Sequence, residues 1–97
     1  MVRVYKQHYF TIYQDDNNEY IIHNTHKPFD IGHTHLTNFH TAKYLIKLSH
    51  SQIVPDHLSI YLIDSLMRIT SDEGYINKLK ILKQKELKKL KKNKTWY

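Results

Sequence analysis

The sequence predicts an α+β fold, in which an N-terminal β-hairpin packs on two to three α-helices and the last helix is rich in lysine. Up to residue 23, apolar and aromatic residues alternate with polar ones, which is typical of strands. After residue 38, apolar residues recur at intervals of three and four, which is typical of helices. A histidine-rich stretch, residues 23–40, separates the two patterns and holds five of the eight histidines.

The predicted hairpin consists of a strand over residues 2–13 and a return strand over residues 19–23. Residues 14–18 form the turn between them, because Asp and Asn side chains bond nearby backbone groups and tolerate left-handed conformations. Residues 33–36 are a candidate third short strand. An isolated hairpin is marginal in water, so these strands are expected to pack on the helices.

Tyrosines are frequent near the N-terminus, and Tyr5, Tyr9 and Tyr13 fall on one face of the first predicted strand. If the opposite face packs on the helices, these rings form an exposed row suited to protein interfaces or base stacking. The alternative is that both faces are partly covered and the tyrosine hydroxyls lie at the rim of the core.

Two helices are predicted in the middle of the chain. Thr37 or Asn38 supplies the N-cap of the first, which runs to about His50. Pro55 and Asp56 open the second, because proline suits the first turn and aspartate faces the positive end of the helix dipole. The second helix is the most apolar of the chain and is expected to be the most buried.

A third helix is predicted from the capping box formed by Thr70 and Glu73, and it is expected to fray after Lys91. Its apolar side lies on one face at 100° per residue and comprises Ile76, Leu79, Leu82, Leu87 and Leu90. Lysines cover the rest of its surface. The chain is therefore predicted to form one domain, residues 1–97, with residues 92–97 as a loose tail.

Positive charge is concentrated in this last helix. Residues 76–97 hold nine lysines and one glutamate, a net charge of +8, whereas residues 1–75 carry a net charge of −2. Lysine neutralises phosphates without reading sequence, so the helix is a candidate contact for nucleic acid or for an acidic protein. The residues predicted to make this contact are Lys78, Lys80, Lys83, Lys85, Lys88, Lys89, Lys91 and Lys92.

Three alternatives remain for the basic segment. Trp96 and Tyr97 could stack on bases and so favour nucleic acid. The lysines could instead serve only to keep a terminal helix solvated. A membrane-surface helix is the least favoured interpretation, because the apolar residues are needed for the core and the helix lacks aromatic anchors.

The histidine-rich stretch could bind a transition metal. In a strand, His33 and His35 project to the same face, so both could reach one ion, and His23 could complete the set. The alternative third ligands are His26, His40 and Asp30. The chain has no cysteine, so thiolate zinc sites are excluded. The competing interpretation is that these are surface and loop histidines that bond only to backbone.

Two short motifs resemble hydrolase signatures. Residues 35–38 (His-Leu-Thr-Asn) and 57–60 (His-Leu-Ser-Ile) resemble the His-x-Ser/Thr-x signature of two-histidine phosphoesterases, in which the paired histidines act as acid and base. The copies stand only 22 residues apart. Residues 32–33 and 38–39 (Gly-His and Asn-Phe) resemble part of the HNH nuclease motif, but residues 44–48 offer no second histidine. Neither fragment assigns a family.

Taken together, these patterns favour a small non-enzymatic binding or regulatory protein that contacts nucleic acid or a partner protein through its basic helix. The alternatives are a metal-dependent hydrolase or nuclease with its site in residues 23–40, and a homodimer formed through the apolar helix faces. The missing cysteines and the absence of a signal peptide or a membrane-length apolar run indicate the cytoplasm. The abundance of Lys, Asn, Ile and Tyr suggests an AT-rich bacterial or phage genome.

Overall fold

The computed structural model describes the backbone of residues 1–94 and the side chains of residues 1–91. Four strands precede three helices in the chain: β1 (Val2–Gln7), β2 (Phe10–Gln14), β3 (Tyr20–Asn24), β4 (His33–Leu36), α1 (Phe39–Ser51), α2 (Ile60–Arg68) and α3 (Glu73–Lys94). The strands form one antiparallel sheet in the order β1-β2-β3-β4. The predicted α+β fold is confirmed, and the candidate third strand at residues 33–36 is the edge strand β4.

The prediction of one continuous strand over residues 2–13 is wrong. The segment folds back on itself, with Gln7 paired to Phe10, so that His8 and Tyr9 alone form the turn between β1 and β2. His8 adopts a left-handed backbone conformation with φ of 56°. Two-residue hairpin turns require such conformations and usually carry Gly, Asn or Asp. Their absence from this turn explains why the sequence pattern did not reveal it.

This turn also rearranges the tyrosines. Tyr5 pairs with Ile12 on the core side of the sheet and packs edge-on against Phe39, with ring centroids 5.9 Å apart. Tyr13 pairs with Arg3 on the opposite side, and Tyr9 lies in the turn. The predicted row of tyrosines on one strand face therefore does not form, because the turn reverses which residues face the helices.

Helix α1 begins as predicted. Asn38 is its N-cap and accepts a hydrogen bond from the Thr41 backbone N–H at 3.0 Å. Helix α2, in contrast, begins at Ile60 with Ser59 as N-cap, and not at Pro55 and Asp56. Residues 53–59 form neither helix nor strand, and Leu58 among them is buried in the core. The Ser59 side chain accepts a hydrogen bond from the Leu62 backbone N–H at 3.3 Å, which sets the start of the helix.

Helix α3 is capped by Asp72, whose carboxylate accepts a hydrogen bond from the Tyr75 backbone N–H at 2.8 Å. The predicted cap residue, Thr70, is buried instead. Its hydroxyl donates to the Leu66 carbonyl at 2.7 Å and lies 2.8 Å from the hydroxyl of Ser49. Thr70 therefore ties the end of α2 to α1, and the following helix starts two residues later than a Thr70 cap would place it.

The core lies between one face of the sheet and the helices. Its buried residues are Phe10, Ile12, Ile22, Leu36, Ala42, Leu45, Ile46, Leu48, Leu58, Ile63, Leu66, Ile69, Tyr75, Leu79 and Leu82. Within α3, Tyr75 rather than the predicted Ile76 faces the core, and Leu90 is 51% exposed. Helix α2 is about 14 Å long and α3 about 33 Å long, so the end of α3 extends past the helix on which it packs.

The described part of α3 continues to Lys94, three residues beyond the predicted fraying point, and the remainder of the expected loose tail lies outside the described residues. Within residues 1–94, no helix combines the length and hydropathy needed to cross a membrane.

Candidate functional site

The outer surface of α3 is a strip of lysine side chains. Positions 75, 79, 82 and 86 face the body of the protein at helical spacing. The lysines occupy the remaining circumference of the helix, and the exposed ones among the described residues are Lys78, Lys80, Lys85, Lys88, Lys89 and Lys91. We call these residues the α3 lysine strip. The predicted contact residue Lys92, and Trp96 and Tyr97, lie outside the part of the chain whose side chains are described.

Two of the predicted contact lysines are engaged by acidic side chains. Lys83 binds Asp64 of α2 at 2.7 Å, and Lys89 lies 3.4 Å from Glu86. Lys83 therefore helps to dock α3 on α2, so it is less available to a partner than the fully exposed lysines. The remaining members of the strip form no ion pair within the described residues.

Glu86 explains why the strip is uniformly positive. It is the only acidic residue in residues 76–91, yet its side chain is only 8% exposed and contacts His57 in the connection before α2. Burial alone would raise the pKa of Glu86. The hydrogen bonds and charges of His57 and Lys89 outweigh that effect, and they hold the pKa of this carboxyl below its ordinary value. The sole acid of this segment thus points inward as a carboxylate.

Exposed apolar residues on α3 do not form one continuous interface. Ile81 is 71% exposed and Leu90 is 51% exposed. They stand nine positions apart, which places them on opposite sides of the helix. The homodimer through the apolar helix faces stays a prediction for sedimentation analysis to test.

The predicted metal ligands lie on the sheet face opposite the helices. His23 and His33 are cross-strand neighbours, and the rings of His33 and His35 are 5.1 Å apart. His23 Nε2 lies 2.8 Å from the Lys27 carbonyl oxygen, and His33 Nδ1 hydrogen-bonds to the Phe29 carbonyl. These two rings therefore anchor the β3–β4 loop, which leaves one ring nitrogen on each for any other ligand.

A different set of potential ligand atoms comes close together. Among the described residues, Asp15, Glu19 and His35 form the one group whose ligand atoms all lie within 4.8 Å of one another. One oxygen of Asp15 already accepts hydrogen bonds from the backbone N–H groups of Asn17 and Glu19, both at 2.9 Å. The group could hold a cation at the protein surface, but His35 is its only member from the predicted set. Of the alternative ligands, His26 stacks on Tyr9 instead.

Sequence reasoning missed a second cluster of cationic side chains. His8, in the turn between β1 and β2, stacks on His50 of α1 with ring centroids 3.4 Å apart. Lys43 and Lys47 flank the pair, and together these residues line an open cleft of about 240 Å³. The available signal was the spacing of Lys43, Lys47 and His50, which places all three on one face of a helix. The contribution of His8 depends on the unexpected turn.

Comparison with known proteins identified no matching family model, no matching curated protein and no matching solved structure. The function proposed below therefore rests on the chemistry and geometry of the residues described above.

Proposed function

We propose that this protein is a non-enzymatic nucleic-acid-binding protein that contacts the phosphate backbone through the α3 lysine strip. The observation that carries this proposal is a helix whose one acidic side chain between residues 76 and 91 is buried, while its exposed lysines point outward. The setting we propose is a bacterial or phage cytoplasm, and the lack of cysteine fits a reducing compartment.

The dimensions of the strip suit a phosphate backbone. Lys78 and Lys91 are separated by about 20 Å along the helix axis. Duplex DNA carries about one negative charge per 1.7 Å of its axis, so several phosphates come within reach of flexible lysine side chains. Lysine ammonium groups act as compact point charges and lack the planar fork with which arginine reads guanine. The binding is therefore expected to be salt-dependent and largely independent of sequence.

The test is the salt dependence of binding to fluorescent single-stranded and duplex oligonucleotides. Each phosphate contact lowers the slope of log affinity against log salt by about 0.9 for duplex DNA and about 0.7 for a single strand. The double variant Lys85→Gln/Lys88→Gln should make the duplex slope shallower by about 2. Both side chains are exposed and lie away from the core, so folding should be preserved.

The matched control is Arg3→Gln/Lys6→Gln, which removes the same charge from exposed positions of β1. This control should leave the slope nearly unchanged. Equal losses in the two double variants would mean that only net charge matters and that α3 is not the contact. If the protein binds an acidic protein but no oligonucleotide, the partner of the α3 lysine strip is a protein and not a nucleic acid.

The second candidate function is a metal-dependent hydrolase or nuclease. It is favoured by the proximity of His33 and His35 and by the approach of His35 to Glu19, at 3.6 Å. Elemental analysis of dialysed protein tests it directly. This hypothesis expects about one transition metal ion per chain, lost in His35→Ala, with hydrolysis of nucleic acid lost in parallel. A metal-free protein, or metal retained in that variant, would remove the hypothesis.

A further inference from the structure

The cleft between the β1–β2 turn and α1 gathers positive and protonatable groups from two distant segments. Lys43, Lys47 and His50 follow one another at spacings of four and three, so they share one face of α1. His8 reaches the same place from the turn, where its ring stacks on that of His50 with planes only 10° apart. The left-handed backbone of His8, with φ of 56°, is costly for a non-glycine residue and is maintained in this arrangement.

Among the described residues, no acidic side chain lines this cleft. Its lining also includes Tyr5, Gln7 and Ser51. The segments that form the cleft also lack acidic residues, since residues 1–14 and 31–55 contain no Asp or Glu. Lys43 lies over the rings of Tyr5, at 5.7 Å, and Phe39, at 5.0 Å. These cation–π contacts orient the ammonium group without neutralising it. The positive charge of the cleft is thus uncompensated by the residues that line it.

The stacked imidazoles add two protonatable groups to this cleft. Two protonated rings in parallel contact would repel one another. The other titratable groups facing the pair are Lys43 and Lys47 of α1, Tyr5 of β1, and Tyr9 of the turn, on which His26 of the β3–β4 loop stacks. None of these supplies a negative charge near neutral pH. A bound anion would therefore be the natural counter-charge for the protonated pair.

Neutral donors complete the surroundings of such an anion. The Tyr5 hydroxyl donates to the Gln7 side-chain oxygen at 2.8 Å, which leaves the Gln7 amide NH₂ free to donate elsewhere. The Ser51 hydroxyl also lines the cleft. The cleft, of about 240 Å³, has room for a tetrahedral oxyanion and its hydration.

We propose that this cleft binds the dianionic group of a phosphomonoester, with Lys43, Lys47 and the imidazoles of His8 and His50 as charged donors. Charge-assisted hydrogen bonds from lysine and protonated imidazole to phosphate oxygens are the strong class of such contacts. The site lies on α1 and the β1–β2 turn, so it does not depend on the α3 lysine strip.

The test follows the ring resonances of His8 and His50 by NMR during titration with inorganic phosphate, at constant ionic strength set with chloride. We expect saturable shifts confined to the cleft. The variant Lys43→Gln/Lys47→Gln should weaken binding about tenfold, because it removes both lysine charges from the cleft. Lys47→Arg should retain binding, and the α3 variant Lys85→Gln/Lys88→Gln should bind phosphate as the unmodified protein does.

Two further arms define the ligand. A dinucleotide with a 5′-phosphate should produce the same shifts, whereas the same dinucleotide without it should not; equal effects would assign the cleft to phosphodiesters and overturn the proposal. The absence of saturable shifts, or equal shifts with chloride alone, would also overturn it. Loss of phosphate binding in the α3 variant would also overturn the proposal for the cleft. The proposed nucleic-acid binding by α3 would still be tested separately, by the salt dependence of oligonucleotide binding.

Discussion

Asn24 connects the sheet to the helices through a fully buried side chain. Its amide nitrogen donates to the Ile69 carbonyl at 2.9 Å and to the Ser71 hydroxyl at 3.0 Å, and its oxygen accepts from the His26 backbone N–H. Asn24→Leu should lower the free energy of unfolding by about 2–4 kcal/mol, because it leaves buried groups without partners. Urea denaturation measures this loss, with the exposed Asn17→Ala as control. A loss below about 1 kcal/mol would show that these hydrogen bonds are dispensable.

Glu86 should make stability depend on pH on the acid side. Its burial opposes ionisation, but hydrogen bonds from His57 and Lys89 prevail and lower its pKa in the folded protein. The folded state therefore binds this proton less readily than the unfolded state, so stability rises with pH. The contribution is fully present above the ordinary glutamate pKa of about 4.3, and it is lost as pH falls through the lower, folded value.

The measurement for Glu86 is the urea midpoint between pH 3 and pH 7, compared with that of Glu86→Gln. The variant should show a flatter acid limb, because the substituted amide cannot titrate. Glu73→Gln, at an exposed position in the first turn of the same helix, is the matched control. An unchanged acid limb in Glu86→Gln would mean that the surrounding hydrogen bonds do not favour the carboxylate.

The end of α1 offers a way to stabilise the protein. Gln52 is the C-cap and has a left-handed backbone, φ 55° and ψ 42°, with its N–H bonded to the Leu48 and Ser49 carbonyls. Glycine adopts this conformation without the strain that a Cβ causes. Gln52→Gly should raise the free energy of unfolding by about 0.5–1 kcal/mol. Gln52→Ala keeps the Cβ and should change little, so equal effects of the two substitutions would refute the strain argument.

The elements that were predictable from sequence are those with local signals. The Asp- and Asn-rich turn between β2 and β3 and the Asn38 cap of α1 both follow from residue types with strong local preferences. The turn at His8 and Tyr9 was not predictable, because neither residue marks a left-handed position. The start of α2 also escaped prediction, because Pro55 with Asp56 and Ser59 are both suitable helix starts by local preference, and the helix uses Ser59 as its N-cap.

The same distinction separates the two cationic surfaces of the protein. The α3 lysine strip was predictable because its residues are close in sequence and the helix is long. The cleft was not, because His8 and His50 meet only when the sheet and α1 have packed. The outline of the molecule reflects the extended helix, with principal extents of 46 × 31 × 22 Å. Its radius of gyration of 14.4 Å exceeds the roughly 12.5 Å expected for a compact chain of this length.

The projecting end of α3 should be separable from the folded body. The buried positions of α3 end at Glu86, and Leu87 is only partly buried. A chain ending at Leu87 lacks five lysines, so its formal net charge falls from +6 to +1. We expect this chain to fold with a stability within about 1 kcal/mol of the full-length protein, because the lost contacts are at the surface. Its salt-dependence slope for duplex DNA should become shallower by about 3.

Circular dichroism with urea titration, followed by oligonucleotide binding, measures both effects in the same samples. A chain ending at Thr70 is the contrasting case: it removes Tyr75, Leu79 and Leu82 from the core and should not fold, since each lost core residue costs several kcal/mol. If the chain ending at Leu87 unfolds, the projecting turns stabilise the body and binding cannot be assigned to them alone. If it folds and binds as strongly as the full chain, nucleic acid is held elsewhere, and the proposed role of the α3 lysine strip is wrong.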